Sequence, residues 1–317
     1  MRALIIGGNG AIGSAIARCV HAEGVETHAG LRDTRRAERL SAHPGIVVHD
    51  VDATDAESVQ RTLVRLRPDW VVMAALPQAG HAMHRQSRQV LLSGMCSGLL
   101  GVLEGAHAAG FRGRMTWIGS AMCYGAGRGP RDVGAAMRPQ SFRGAVKAAE
   151  SLLAAQLAAQ LDIALTEIRV FTGYGPYEQR ERLVASLLRA ALSGERVRLE
   201  RIPGRRDWIH YDDIARACLA SAVAPDTRGV FNACSGRLHD TREVATLLET
   251  IVGKRLVADE PYEQGDRYGD VEPGIVPGAR EGLAWQPTVS LSEGLQRCWD
   301  WARSRDGRDY LLAASPA

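Results

Sequence analysis

Three glycines near the start of the chain, spaced three residues apart, have the pattern of a phosphate-binding turn. They follow the apolar run Ala3–Ile6 and precede the helical pattern Ser14–Ala22. Glycine permits a sharp backbone turn and lets a pyrophosphate approach the free N–H groups and positive dipole end of the next helix. The spacing is weak by itself, but its place between a strand and a helix predicts a dinucleotide site. The residues expected to line this site are Gly7, Gly10, Ala11, Ile12 and Gly13.

The end of the second predicted strand indicates which dinucleotide is preferred. An acidic residue there accepts hydrogen bonds from the ribose hydroxyls of NAD, whereas an arginine suits the 2′-phosphate of NADP. Leu31 occupies the place of the acid, and Arg32 follows it. NADP is therefore favoured, with Arg32 as the phosphate ligand, and NAD is the alternative. A solvated, arginine-rich helix start would also explain these residues. After the third strand, Asp50 and Val51 are expected to lie at the edge of the adenine ring. The alternative is that they form an ordinary polar strand end.

Short apolar runs alternate with helical patterns through the first half of the chain. The predicted strands are Ala3–Ile6, Val25–Leu31, Ile46–His49, Asp69–Ala75, Met115–Gly119 and Leu165–Phe171. The clearest helical patterns are Ser14–Ala22, Ser87–Ala109, Ala145–Gln160, Glu181–Leu192 and Arg242–Val252. This alternation predicts an α/β fold, a doubly wound parallel sheet of the Rossmann type with helices on both faces.

The regular alternation ends after Gly173, where short extended pieces and turns become common. This change predicts a smaller, discontinuous C-terminal substrate domain beside the sheet. The predicted division is a Rossmann domain over 1–172 with 225–240 returning to it, a substrate domain over 173–224 and 241–303, and a loose tail over 304–317.

The composition of the chain excludes several classes of function. It has 317 residues, 45% of them apolar and 24% charged, with a formal charge of only +3. No basic block is interleaved with aromatic residues, which argues against nucleic-acid binding. The six cysteines are widely spaced and suit neither a disulfide framework nor a metal site. No stretch approaches the roughly 20 apolar residues of a membrane span. We expect a cytoplasmic protein without a bound metal.

Several segments, taken in order, carry a resemblance that covers nearly the whole chain. Besides the glycine turn they are residues 68–75 (PDWVVMAA), 118–125 (IGSAMCYG), 169–176 (RVFTGYGP), 206–213 (RDWIHYDD) and 283–287 (LAWQP). Together they resemble the extended short-chain dehydrogenases/reductases of the nucleotide-sugar epimerase/dehydratase family.

This resemblance implies roles for individual residues. Ser120 would hydrogen-bond the reacting oxygen of the substrate, and Lys147 would hold the nicotinamide ribose and lower the pKa of a neighbouring tyrosine. The implied cofactor contacts after the fourth strand are Ala74, Ala75 and Leu76. The implied substrate contacts are Ser120, Tyr124, Thr172 and Arg206, with Arg206 on a substrate diphosphate. An ion pair of Arg206 with Asp207 or Asp213 is an equally good explanation. The resemblance also implies a homodimer through the helices Ser87–Ala109 and Ala145–Gln160.

The chain departs from that family at its chemical centre, because Arg143 stands where the family has its proton-carrying tyrosine. Hydride transfer to a carbonyl leaves an alkoxide that a proton donor must neutralise. An arginine remains protonated at any working pH, so Arg143 cannot act as a base, although it can donate hydrogen bonds to developing negative charge. Other groups would have to carry the proton. The candidates are Tyr124, Cys123, His81, His84 and water.

The substrate side of the site is altered more than the cofactor side. Ala121 and Met122 replace the Asp-Glu pair that dehydratases of this family use, which disfavours dehydration. Met95 and Thr172 each replace a family asparagine. The predicted function is an NAD(P)-dependent oxidoreductase or epimerase acting on a nucleotide sugar or a related polyol or carbonyl compound, with non-standard proton transfer. The alternatives are a non-redox cofactor-binding sensor or scaffold, and an elimination or cyclisation enzyme on the same fold.

Overall fold

The computed structural model describes residues 1–75, 85–125, 129–199, 204–224, 227–260, 274 and 283–313. Its strands are β1 (Arg2–Ile6), β2 (Glu26–Leu31), β3 (Val47–Asp50), β4 (Trp70–Met73), β5 (Arg114–Ser120), β6 (Ala164–Val170), β7 (Thr172–Tyr174), β8 (Arg205–His210), β9 (Gly229–Ala233) and β10 (Leu238–Asp240). Its α-helices are α1 (Ala11–Ala22), α2 (Ala56–Leu66), α3 (Arg85–Ala108), α4 (Phe142–Gln160), α5 (Leu183–Ser193), α6 (Tyr211–Val223), α7 (Thr241–Val252), α8 (Leu291–Arg303) and α9 (Arg305–Leu312).

Seven of these strands form one parallel sheet in the order β3-β2-β1-β4-β5-β6-β9. Helices α1 and α6 pack together on one face, and α2, α3 and α4 cover the other. Strand β1 explains this sandwich, because Ala3 and Ile5 lie in one core and Leu4 and Ile6 in the other. The predicted doubly wound parallel sheet is therefore confirmed. The strand order reverses between β1 and β4, because β2 and β3 are added on one side of β1 and the later strands on the other side. In such folds a ligand binds at the point of reversal.

A smaller unit follows the sheet. Strand β8 pairs with β7 in parallel and with β10 in antiparallel fashion. Helices α5, α7, α8 and α9 enclose a separate apolar core around Leu187, Leu248 and Leu295, each of which is fully buried. Burial of one such leucine contributes about 1.5–3 kcal/mol to the free energy of folding. The smaller unit is therefore stabilised by an apolar core of its own. The segment expected to return to the main sheet is β9, which pairs with β6.

Two expectations about the C-terminal half need correction. Residues 305–312 form α9 and not a loose tail, since the Ser304 side chain caps the helix and Tyr310 and Leu311 are buried. Helix α6 lies within the range assigned to the substrate domain, yet Ile214 and Cys218 pack in the core that it shares with α1 and the main sheet.

Helix α3 is long and apolar enough, by length and composition, to be a candidate membrane span. The sequence expectation overlooked this property. Half of its apolar window is buried inside the fold, against α2 and α4. A core helix of a globular domain passes the same test, so the described residues give only weak support for a membrane span.

Candidate functional site

The glycine turn lies at the carboxyl end of β1, at the point where the strand order of the sheet reverses. Gly7 has φ +82°, and a Cβ placed on it would lie 2.4 Å from the backbone nitrogen of Ala75. A Cβ on Gly13 would lie 2.3 Å from the Gly7 carbonyl oxygen and 3.3 Å from the Ala74 side chain. The structure therefore brings the turn together with the end of β4, and both glycines are required sterically.

Helix α1 begins directly after this turn with its first N–H groups available to a ligand. Its N-cap is the exposed Gly10, which has no side chain to cap the helix. Ala11 and Ile12 are half-buried at the first turn. Unsatisfied N–H groups and the positive end of the helix dipole favour an anion at this point. The arrangement fits the pyrophosphate of a dinucleotide, because no side chain caps the start of α1 and the glycines hold the turn close to the end of β4.

An open polar hollow adjoins the ends of β2 and β3. Its lining residues are Arg32, Asp33, Thr34, Arg35, Arg36 and Asp50. Leu31 is buried, whereas Arg32 and Asp50 are exposed, and Val51 packs against Gly30. The Arg35 guanidinium binds Asp33 at 2.9 Å and holds the pKa of that carboxyl below its usual value. Among the described residues no carboxylate engages Arg32, so its charge faces the hollow.

Ser120 ends β5 and begins a tight turn. Its Oγ accepts a hydrogen bond from the Met122 backbone N–H at 3.3 Å. A Cβ on Gly144 would lie only 2.6 Å from the Met122 carbonyl oxygen, so the first turn of α4 packs directly on this turn. The Ser141 side chain caps the helix by accepting from the Gly144 N–H. Arg143 lies half-buried in that first turn, beside the Ser120 segment.

Lys147 lies one helical turn after Arg143 on the same face of α4. Its side chain is only 9% exposed, and its Nζ donates to the Ile118 carbonyl at 3.3 Å and to Glu150 Oε2 at 2.5 Å. Glu150 is also buried, so the two charges form an ion pair inside the protein. The sequence analysis did not single out Glu150. Its spacing of three residues from Lys147, on an otherwise alanine-rich face, was the available signal.

A buried polar network lies next to this pair. Arg169 donates to the Tyr124 hydroxyl and to Ser151 Oγ, both at 2.9 Å, and it contacts Glu167 at 3.3 Å. Ser151 donates to Glu167, and the Tyr124 hydroxyl donates to Asn232. A Cβ on Gly119 would touch Glu167, so the network supports the backbone just before Ser120.

This network corrects the expectation that Tyr124 contacts substrate or carries the proton. Tyr124 is 1% exposed, and its hydroxyl is already engaged by Asn232 and Arg169. Burial raises the pKa of Tyr124 to about 12 and that of the buried Cys123 thiol to about 11. Both groups are therefore poor proton acceptors near neutral pH. The other candidates, His81 and His84, and the predicted cofactor contact Leu76 lie outside the described residues.

The predicted substrate contacts on the smaller unit occupy neighbouring strands. Thr172 opens β7, two residues after Val170, which pairs with Ser120 across β5 and β6. Arg206 lies on β8 and is half-buried.

The two acids proposed as structural partners of Arg206 are satisfied by other groups. Asp207 accepts from the backbone N–H groups of Ser235, Gly236 and Gly274. Asp213 accepts from Arg216 and from the N–H groups of residues 288 and 289.

Comparisons with known proteins agree with this geometry. A model of the NAD dependent epimerase/dehydratase family matches residues 3–234. UDP-glucuronate 4-epimerase 1 of Arabidopsis thaliana is 26% identical over 296 residues, which cover 86% of this chain and 68% of that protein. UDP-glucuronate 4-epimerase 3 of the same plant is 24% identical, with 84% and 66% covered. The chain thus spans about two thirds of the length of these plant proteins.

Solved structures match over almost the whole chain. UDP-glucose 4-epimerase of Thermotoga maritima with UDP-glucose superposes with a TM-score of 0.82 at 26% identity, covering 96% of this chain and 99% of that one. UDP-glucose 4-epimerase of Thermus thermophilus in complex with NAD gives a TM-score of 0.82 at 25% identity, covering 96% and 100%.

Proposed function

The chain belongs to the NAD dependent epimerase/dehydratase family, and from that premise we propose that it oxidises and re-reduces a hydroxyl-bearing carbon of a nucleotide sugar. The observation that supports the proposal is the packing of the first turn of α4, which carries Arg143, on the turn after Ser120, together with the bond from the buried Lys147 to the Ile118 carbonyl. Relatives named as UDP-glucuronate and UDP-glucose 4-epimerases point to a uridine diphosphate sugar as substrate.

Each residue would contribute a separate part of the chemistry. The nicotinamide of the bound cofactor would accept the hydride from carbon and later return it. Ser120 would orient the substrate oxygen by a hydrogen bond, and Lys147 would hold the nicotinamide ribose. Arg143 would donate hydrogen bonds to the oxygen as negative charge develops there. Because a guanidinium stays protonated, the hydroxyl proton would leave to water and return from it.

This role of Arg143 predicts a large loss of turnover on its removal. Loss of one positioned donor to a developing oxyanion typically lowers kcat by a factor on the order of 100 to 1,000. We expect that loss in Arg143→Ala with UDP-glucuronate or UDP-glucose, and a smaller loss in Arg143→Lys. Arg138→Ala, an exposed arginine just before the same helix, is the control. Product formation followed by NMR is the measurement.

Three outcomes would change the proposal. Full activity in Arg143→Ala would remove the electrostatic role. Activity gained in Arg143→Tyr would indicate that the site still works by the tyrosine mechanism of the family. If the wild-type chain bound cofactor and sugar nucleotide without any turnover, the second candidate would gain support: a cofactor-binding protein without redox activity, which the absence of the tyrosine favours.

We propose further that NADP is preferred over NAD, although the Thermus relative was solved with NAD. The exposed Arg32 beside the buried Leu31 supports this preference. A charge-assisted contact to phosphate contributes about 1.5–3 kcal/mol, or roughly 10- to 100-fold in affinity. Arg32→Ala should weaken NADP binding by that factor and leave NAD binding nearly unchanged.

The matched control for Arg32 is Arg35→Ala, because the Arg35 guanidinium is occupied by Asp33. Isothermal titration with each dinucleotide measures both affinities. Tighter binding of NAD than of NADP by the wild-type chain would overturn the preference and the role of Arg32 together.

Helices α3 and α4 support the proposal of a homodimer. Their exposed apolar side chains are Val90, Leu92, Leu100, Leu152 and Leu153, each at least 41% exposed. Exposed apolar side chains on two helices that pack together are suited to burial against a second copy. Sedimentation velocity should show a dimer, and a monomer at micromolar concentration would contradict this assembly.

Arg206 would bind the diphosphate of the substrate. The proposal is supported by the place of Arg206 on β8, which pairs with β7, the strand that begins at Thr172. An unchanged KM for the sugar nucleotide in Arg206→Ala would refute it.

A further inference from the structure

One guanidinium joins the glycine turn to the C-terminal helix. Arg39 Nη1 donates to the Asn9 carbonyl at 2.9 Å, Nε to the Tyr177 carbonyl at 3.1 Å, and Nη2 to the Tyr310 hydroxyl at 2.5 Å. The Arg39 backbone N–H also donates to Asn9 Oδ1 at 3.2 Å. Asn9 lies in the glycine turn between Gly7 and Gly10, Tyr177 belongs to the loop after β7, and Tyr310 belongs to α9.

The hydrogen-bond acceptors of the Arg39 guanidinium are mainly uncharged oxygen atoms. Its side chain is 15% exposed, and the nearest carboxylate, Glu38, lies at 3.6 Å. The guanidinium also stacks over the Tyr310 ring, with 5.1 Å between Cζ and the ring centroid. The Arg39 guanidinium donates to three oxygen atoms in three different segments, which fixes its position and orientation. A shift in any one segment therefore strains the contacts with the other two.

Tyr310, at the α9 end of this contact, is held by several further contacts. The Tyr310 hydroxyl donates to the carbonyls of Tyr177 and Glu178, while its ring packs against Tyr177 and Trp301. Arg18 of α1 donates to the Arg39 carbonyl and lies over the Tyr177 ring. Helix α9 is thus connected, through Arg39, to the turn and to the helix that would receive the cofactor pyrophosphate.

We propose that Arg39 and Tyr310 are positioning residues that couple the C-terminal helix to dinucleotide binding. The contact holds the Asn9 peptide in place, and Asn9 lies between the glycines that shape the phosphate site. Linkage requires the reciprocal effect, so a bound dinucleotide stabilises α9, which is joined to the turn through Arg39. This inference rests on the proposed cofactor site.

The test measures cofactor affinity and the exchange of α9 amides in the full-length chain. Tyr310→Phe removes the hydroxyl but keeps the ring, and Arg39→Lys keeps the charge but loses the fork. We expect each to raise the Kd for the dinucleotide that the wild type binds more tightly by roughly 3- to 30-fold, as for loss of one or two charge-assisted hydrogen bonds. Arg305→Ala is the control, because that residue is an almost fully exposed arginine on the same helix.

Hydrogen exchange separates coupling from simple stability. Adding the dinucleotide to the wild type should slow exchange of the amides of residues 308–312, and the effect should shrink in Tyr310→Phe. Unchanged Kd values in both variants, or α9 exchange insensitive to cofactor, would overturn the coupling even if the variants melt at lower temperature. If the wild type bound neither NAD nor NADP, the proposed cofactor site itself would fall, and the coupling with it.

Discussion

Gly7→Ala should weaken dinucleotide binding by a factor on the order of 100 or more, whereas Gly24→Ala should leave binding unchanged. Displacement of a binding group by about 1 Å commonly has an effect of this size. A Cβ at Gly7 would overlap the Ala75 backbone nitrogen at 2.4 Å, and backbone cannot move aside as a flexible side chain can. The glycine turn or the end of β4 must therefore shift, and both border the cofactor site.

The control at Gly24 is closely matched. Gly24 has φ +79°, nearly the same as Gly7, but nothing lies within 4 Å of a Cβ placed there. Both substitutions incur the left-handed backbone penalty of about 1–2 kcal/mol. Only the Gly7 substitution adds steric overlap. Calorimetric titration with NAD and NADP, together with urea unfolding, distinguishes the two effects. Equal affinities in the two variants would show that the cofactor does not bind at this turn.

Substitution of either residue in the buried pair formed by Lys147 and Glu150 should cause a large loss of stability. Removing one partner of a buried ion pair leaves an uncompensated charge and destabilises a protein by about 3–5 kcal/mol. Lys147→Met and Glu150→Met should each lower the free energy of unfolding by that amount. The double variant should recover most of it, because two apolar side chains of similar size can replace a buried pair.

Turnover separates stability from chemistry at this pair. The double variant should fold but remain inactive, since it lacks the Lys147 group that would hold the nicotinamide ribose. Urea unfolding and the epimerase assay are run on the same four proteins. Additive losses of stability would mean that the two side chains do not interact in the folded protein. An active double variant would remove Lys147 from the proposed site.

Local patterns were sufficient to predict the sheet and its turn. Strands β1 and β4 lie in short apolar runs, and the three glycines lie where the first of these runs meets a helix, so neighbours in sequence carry the signal. Strand boundaries differ by one or a few residues. The fourth strand, for example, ends at Met73, because Ala74 and Ala75 bend beside the glycine turn.

Contacts between distant segments were beyond local patterns. Tyr124 follows Ser120 closely and therefore suggested an accessible proton carrier, yet its hydroxyl is engaged by Asn232, 108 residues away. Helix α9 spans eight residues, too short for a clear apolar period, and it is buried by packing against α5 and α8. Its Tyr310 hydroxyl also accepts from Arg39, 271 residues away.

We propose that this chain performs hydride transfer on a nucleotide sugar with Arg143 in place of a tyrosine. The most direct measurement mixes the cofactor-loaded wild-type chain with UDP-glucuronate or UDP-glucose deuterated at the reacting carbon. We predict transient absorbance of the reduced nicotinamide and a product of inverted configuration that retains the deuterium. Binding of both ligands without reduced nicotinamide and without inverted product, for either sugar, would contradict the account.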